Sequence, residues 1–156
     1  MVTPSRNRRK RITHQITPSA IQFAKLSGFS PIVTTAAAAH APALKDLGAD
    51  VVVDRSSPKI LKDIEAAAGK PIDYVVDAVA VPETAKLALE VGQPTSHILT
   101  ALPFAKDVDR GEHTIVEVYG ILDFPHNLEL GQKLFHDVAP ELLENGHLKV
   151  SIPGDP

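Results

Sequence analysis

The sequence predicts a three-layer α/β domain with a mostly parallel sheet. Two observations carry the prediction. Short aliphatic and β-branched runs recur along the chain, and each is separated from the next by a stretch with apolar residues at helical spacing. Glycine closes most of those helical stretches, where its left-handed conformation costs nothing. Strand and helix in alternation imply parallel neighbours, because these cannot be joined by a tight hairpin.

Residues 1–18 stand apart. Arg6, Arg8, Arg9, Lys10 and Arg11 crowd into six positions between Pro4 and Pro18. Such a run can serve as a nuclear-targeting or nucleic-acid-binding arm. The plainer reading is a solvated, disordered tail, because there are no interleaved aromatics and no matching fold, and nucleic acid ranks last among partners. Residues 19–150 are read as the folded domain and 151–156 as a second tail.

The domain opens with a helix whose face carries Ala20, Ile21, Phe23, Ala24, Ser27 and Gly28, with Thr17 or Ser19 as its cap and Gly28 as its stop. Pro31 to Thr35 is short and β-branched, as suits a strand buried on both faces. Ala43, Leu44 and Leu47 form the next helical face, ended by Gly48, and Val51–Val53 is again a buried strand. Ser56-Ser57-Pro58 introduces a helix buried through Ile60, Leu61, Ile64, Ala67 and Ala68 and stopped by Gly69. Ile72–Val79 is a strand, and Pro82 and Glu83 start a helix buried through Ala85, Ala88 and Leu89. His97–Leu102 and Ile115–Tyr119 are the remaining strands, with a charged loop over 103–113 between them. After Pro125, the residues Leu130, Leu134, Phe135, Val138, Ala139 and Leu142 share one face of a long amphipathic helix, which Pro140 should kink or split.

Composition narrows the function classes. The chain has 156 residues, 44% of them hydrophobic, which suits one domain with a real core. A net charge of −3 and a pI near 6.1 give no general attraction to nucleic acid or anionic lipid. There is no cysteine, so disulfides and thiolate metal sites are excluded. No apolar run approaches the roughly 18 residues of a membrane span, so a cytoplasmic protein without a membrane partner is expected. The seven histidines show no HxxxH or HxH pair, so no metal site is expected. No nucleophile motif occurs either, and no catalytic residue is assigned.

One expected part is missing. A dinucleotide-binding α/β domain begins with an apolar strand and a glycine-rich turn that brings backbone N–H groups to the pyrophosphate. Here the first helix follows RRKRITHQITPS, and no glycine precedes Gly28. In a doubly wound sheet that first strand is central. Either Arg11–Ile16 fills the gap, or the neighbouring strands close up, or another chain supplies the pairing. Exposed strand edges then make a homo-oligomer, a dimer or larger, or a chain prone to aggregate, the expected form.

AIQFAKLSGF, VTTA, LKDLGADVVVD and the later DYVVDAV together resemble the cofactor domain of the zinc-free medium-chain dehydrogenase/reductases. Within that family the sequence looks most like the fungal enoyl reductases that act in trans with polyketide synthases. The likeness runs from about Ser19 almost to the C-terminus. It implies a Rossmann-like fold with its first strand missing or replaced, and an NADP(H)-binding part of an oxidoreductase that reduces a carbon–carbon double bond. A polyketide synthase is the partner it implies. The family's catalytic domain has no counterpart in these residues, so no turnover is expected from this chain alone. A truncated, inactive Rossmann-like interaction module is the alternative.

The cofactor residues follow from strand ends and from the resemblance. Thr34 and Thr35 end the strand that holds the adenosine ribose in such folds, and no acidic residue stands there to clamp the 2′-hydroxyl of NAD. The similar reductases carry a serine and an asparagine where this chain has Ala37 and His40, and commonly a tyrosine where it has Arg55. The Arg55 guanidinium could pair with a 2′-phosphate; it could equally be an ordinary surface arginine. Asp77, Ala78 and Val79, with Leu102 and Pro103, should line the cleft at the carboxyl ends of two further strands. Asp77 is read as bracing the turn that follows it. Without the phosphate turn, NADP(H) should bind weakly.

Overall fold

The computed structural model describes residues 13–118 and 125–149. The basic run, Tyr119 and the tail over 151–156 lie outside the described residues. Helix α1 (Thr13–Leu26) leads to strand β1 (Val33–Ala36), a 3-10 turn (Ala38–His40), α2 (Ala41–Asp46) and β2 (Val51–Asp54). Then come α3 (Ile60–Ala68), β3 (Tyr74–Asp77), α4 (Pro82–Val91), β4 (His97–Thr100) and β5 (Thr114–Glu117). The described chain closes with α5 (Pro125–Lys133), a π-helical turn (Leu134–Val138) and α6 (Ala139–Glu144).

Every strand pairing is parallel, as the alternation predicts. The sheet is nevertheless split. Among the described residues β1 pairs only with β2, Val33 facing Val51, while β3, β4 and β5 form a separate three-stranded sheet. The break falls where a doubly wound sheet has its first strand. Residues 13–16 do not fill it, because they are helical.

That early start corrects the boundary expected at Ser19. Pro18 lies inside α1, so Thr17 and Ser19 are interior rather than caps. Proline's fixed φ is helical, and its missing N–H removes a single ladder bond near the start of the helix. The other end matches the prediction. Gly28 takes φ +80, its N–H bonds the Lys25 carbonyl at 3.0 Å, and the Phe29 N–H bonds the Ala24 carbonyl at 3.1 Å. This is a complete Schellman closure.

The two half-sheets have separate cores. Ile21 of α1 and Leu44 of α2 bury against Ile32 and Ala49, with Ala36 and Val52 packed on them. Side chains alternate along a strand, so Val53 is left for the opposite face, where α3 packs on β1 and β2 and meets α4. In the second half, Phe104, Ala85 and Val108 form the buried cluster. Gly48 (φ +116) lets α2 end close against α1, for a Cβ there would stand 3.1 Å from that of Lys25.

Two further expectations are corrected. The strand expected over Ile72–Val79 spans only Tyr74–Asp77, because the Asp77 side chain turns the chain immediately after it. The face of the last helix is not buried as its amphipathic pattern suggests, for Leu130 is 67% and Phe135 61% exposed. Pro140 acts as expected. It cannot donate to the helical ladder, and the π-helical turn lies directly before it. No helix among the described residues is long and apolar enough to cross a membrane.

Candidate functional site

Between β1 and β3 lies a cavity of about 360 Å³. Its sides are the two facing strands, and Ile64 and Ala68 of α3 with Leu87 and Ala88 of α4 close one face. At its amino end the half-sheets are tied by the edge-on contact of Phe29 and Tyr74, ring centroids 5.2 Å apart. Lys70 adds a 2.8 Å hydrogen bond from its ammonium to the Ser30 carbonyl.

Five of the expected residues line this one cavity: Thr34 and Thr35 of β1, and Asp77, Ala78 and Val79 at the end of β3. The other four are not in its lining. Arg55 is exposed one residue beyond β2, and its backbone N–H bonds the Ala36 carbonyl at 3.0 Å. That bond puts Arg55 beside the end of β1. Among the described residues its guanidinium has no ion-pair partner. Leu102 and Pro103 are exposed just past β4, whose last residue pairs with Asp77. His40 closes the 3-10 turn after β1 and is exposed. Seven of the nine therefore lie at or beyond the carboxyl end of a parallel strand, while Thr34 and Thr35 are the two middle residues of β1.

Asp77 is 7% exposed and fully engaged. One carboxylate oxygen accepts the backbone N–H groups of Val79 and Ala80, each at 3.0 Å. The other accepts the Thr84 hydroxyl at 2.8 Å. Those bonds hold Ala80 at φ +53, a left-handed conformation that costs a non-glycine residue about 1–2 kcal/mol. Asp77 thus braces the turn, and its oxygens are not free for proton transfer.

Three residues that matter here had not been singled out. Thr84 locks Asp77 from the first turn of α4; a threonine two residues after a helix-starting proline was the available signal. Glu117 at the end of β5 accepts the Phe104 N–H at 3.1 Å and one Arg110 nitrogen at 3.2 Å, fixing the loop after β4. Thr100 is 1% exposed, and its hydroxyl has no hydrogen-bond partner among the described residues. Nothing local in the sequence marks the last two, since both depend on strand neighbours.

Comparison with known proteins gives a consistent result. The trans-enoyl reductase himH of Aspergillus japonicus is 33% identical over 129 residues, covering 82% of this chain and 37% of that protein. The dual trans-enoyl reductase/FAD-dependent monooxygenase tazHJ of Aspergillus terreus is 28% identical over 149 residues, 86% of this chain and 21% of its own length. The chain thus spans well under half the length of these curated relatives. Benzyl alcohol dehydrogenase from Acinetobacter calcoaceticus shares the fold, with a TM-score of 0.65 at 19% identity over 83% of this chain and 37% of that one. The sequence profile described as zinc-binding dehydrogenase matches residues 17–101, more than half of the chain. The chain therefore belongs to the zinc-binding dehydrogenase family, as a cofactor-binding domain of the medium-chain dehydrogenase/reductase type.

Proposed function

We propose that this domain holds NADP(H) for an enoyl reductase-like oxidoreductase that reduces a carbon–carbon double bond. The supporting observation is the gathering of Thr35, Arg55, the Asp77–Val79 turn and the Leu102-Pro103 loop at one edge of adjacent parallel strands, where open α/β sheets take ligands. Thr34 and Thr35 would meet the adenosine ribose, and Arg55 the 2′-phosphate by charge-assisted bonds. His40 would stand beside that phosphate. Asp77 positions Ala78 and Val79 as one wall, and Leu102 and Pro103 form another. The cofactor, when bound, supplies the hydride. The pyrophosphate has no glycine turn to receive it. A polyketide synthase is the partner that the trans-enoyl reductase relatives suggest, and the cysteine-free sequence suits the cytoplasm.

The family's name implies zinc, and the residues present do not fit it. The chain has no cysteine, and among the described residues no three of His, Asp or Glu come together. No step is assigned to a metal.

Calorimetric titration with NADPH and NADH tests the reading. The unmodified chain should bind NADPH with a dissociation constant on the order of 0.1 mM, about −5.5 kcal/mol. Arg55→Ala should abolish the preference over NADH and leave the fold intact. Submicromolar binding would refute the weakness expected from the absent turn, and equal binding of both cofactors would refute the role of Arg55. No binding of either would leave the second reading, an inactive interaction module, which the unpaired β1 and β3 edges favour.

A further inference from the structure

Asp77 has a counterpart two strands away. Asp77, Thr100 and Glu117 pair across β3, β4 and β5, so their side chains share the face of the sheet on which α4 lies. One oxygen of Glu117 accepts the Phe104 N–H at 3.1 Å and an Arg110 nitrogen at 3.2 Å, so residues 13 and 7 positions back in the chain meet at a single atom. Phe104 is 2% exposed and packs with Ala85 and Val108, and the Arg110 guanidinium lies over its ring, 5.1 Å from the centroid. The Phe104 N–H belongs to the planar peptide unit whose other half is the Pro103 carbonyl, so holding the donor fixes that plane. The pyrrolidine ring fixes φ of Pro103 on its other side. Pro103, and Leu102 before it, therefore stand in place before any ligand arrives.

We infer that Glu117 is a positioning residue for the dinucleotide: through the Phe104 N–H it sets the Leu102-Pro103 wall against the nicotinamide half. This role rests on the NADP(H) site proposed above. Arg55 stands beside the end of β1, whereas Leu102 follows β4, and β3 with its Asp77 turn lies between them. A dinucleotide whose 2′-phosphate is at Arg55 therefore reaches the loop with its opposite end. Leu102, 50% exposed, offers that end an apolar surface. The Glu117 side chain is only 26% exposed and its oxygen is engaged by the loop, so it acts on the cofactor through the loop and not by contact. A wall already in place need not be ordered when the ligand binds. Having to fix the backbone of one more residue on binding weakens affinity by about tenfold, which sets the scale of the effect.

The test uses the full chain and three probes: NADPH, NADH and 2′,5′-ADP, which carries the adenosine half and its 2′-phosphate without the nicotinamide. Titrations are followed by backbone amide shifts in nuclear magnetic resonance, which read weak binding directly. Glu117→Ala should weaken NADPH and NADH alike by about tenfold and leave 2′,5′-ADP within about twofold of the parent. Glu117→Gln keeps an acceptor for the Phe104 N–H, so all three probes should bind within about twofold of the parent. Glu117→Asp keeps the charge on a side chain one methylene shorter; it should show the same selective loss as alanine, and it carries the test should the alanine variant not fold. Equal weakening of all three probes would mean a general loss of structure, and unchanged binding of all three would mean that the wall stands without Glu117. Either result overturns the inference, as does a glutamine variant as weak as alanine, which would assign the effect to charge. In each of those cases the parent still binds and the NADP(H) reading survives. A parent that binds none of the three probes would refute that reading and this role with it.

Discussion

Replacing Asp77 by alanine should destabilise the domain by about 3 kcal/mol. The carboxylate accepts three hydrogen bonds while almost wholly buried. A bond to a charged group contributes about 1.5–3 kcal/mol, and each buried donor left unpaired costs about 1–3 kcal/mol. Simple addition overshoots here. Val79 is 37% exposed, so water can reach its N–H, and the Thr84 hydroxyl keeps the Val81 carbonyl at 3.1 Å. About 1.5 kcal/mol for each of the two backbone N–H bonds, the lower end for a charged acceptor, gives the estimate. Asparagine retains an acceptor for the two N–H groups and a donor for Thr84, so Asp77→Asn should cost only about 1 kcal/mol. Urea unfolding followed by circular dichroism reads this directly. With an m-value of about 2 kcal/mol/M, the alanine variant's midpoint should fall by about 1.5 M at unchanged m. An alanine variant within about 0.5 kcal/mol of the parent would refute the bracing role. Asparagine as damaging as alanine would show that charge, not hydrogen-bond geometry, holds the turn.

Two further substitutions probe the same end of the sheet. Ala80→Gly should stabilise by about 0.5–1 kcal/mol, the left-handed cost relieved less the extra backbone entropy of glycine; a loss of stability would show that the φ of +53 carries no strain. Thr100→Val keeps the side-chain shape and removes the orphaned hydroxyl, so the thermal midpoint should rise by an amount corresponding to about 1 kcal/mol. A fall would mean that the hydroxyl has a partner in solution.

The local elements were legible because their signals are local. Val51–Val53 and Ile98–Thr100 are β-branched or aliphatic and too short for helices, and Gly28, Gly48 and Gly69 mark stops that their positive φ values require. The site residues could be named because strand ends were legible and the resemblance fixed which ends mattered. What escaped depends on distant partners. Where β3 stops is decided by the Asp77 side chain and by Thr84, seven residues on. Whether Leu130 and Phe135 are covered depends on where the helix docks, which periodicity cannot encode. The α1 start was misjudged because Pro18 reads as a boundary, although its φ is compatible with a helix already under way.

The divided core also bears on how the domain melts. The cluster around Ile21 and Leu44 shares no member with that around Phe104 and Ala85. Among the described residues, ties between them include the meeting of α3 with α4, the Phe29–Tyr74 contact and one exposed lysine bond. All-or-none unfolding requires each part to lose its stability when the other is lost, and so narrow a seam transmits little of that penalty. The two halves are therefore expected to melt in two weakly coupled transitions, which scanning calorimetry would resolve.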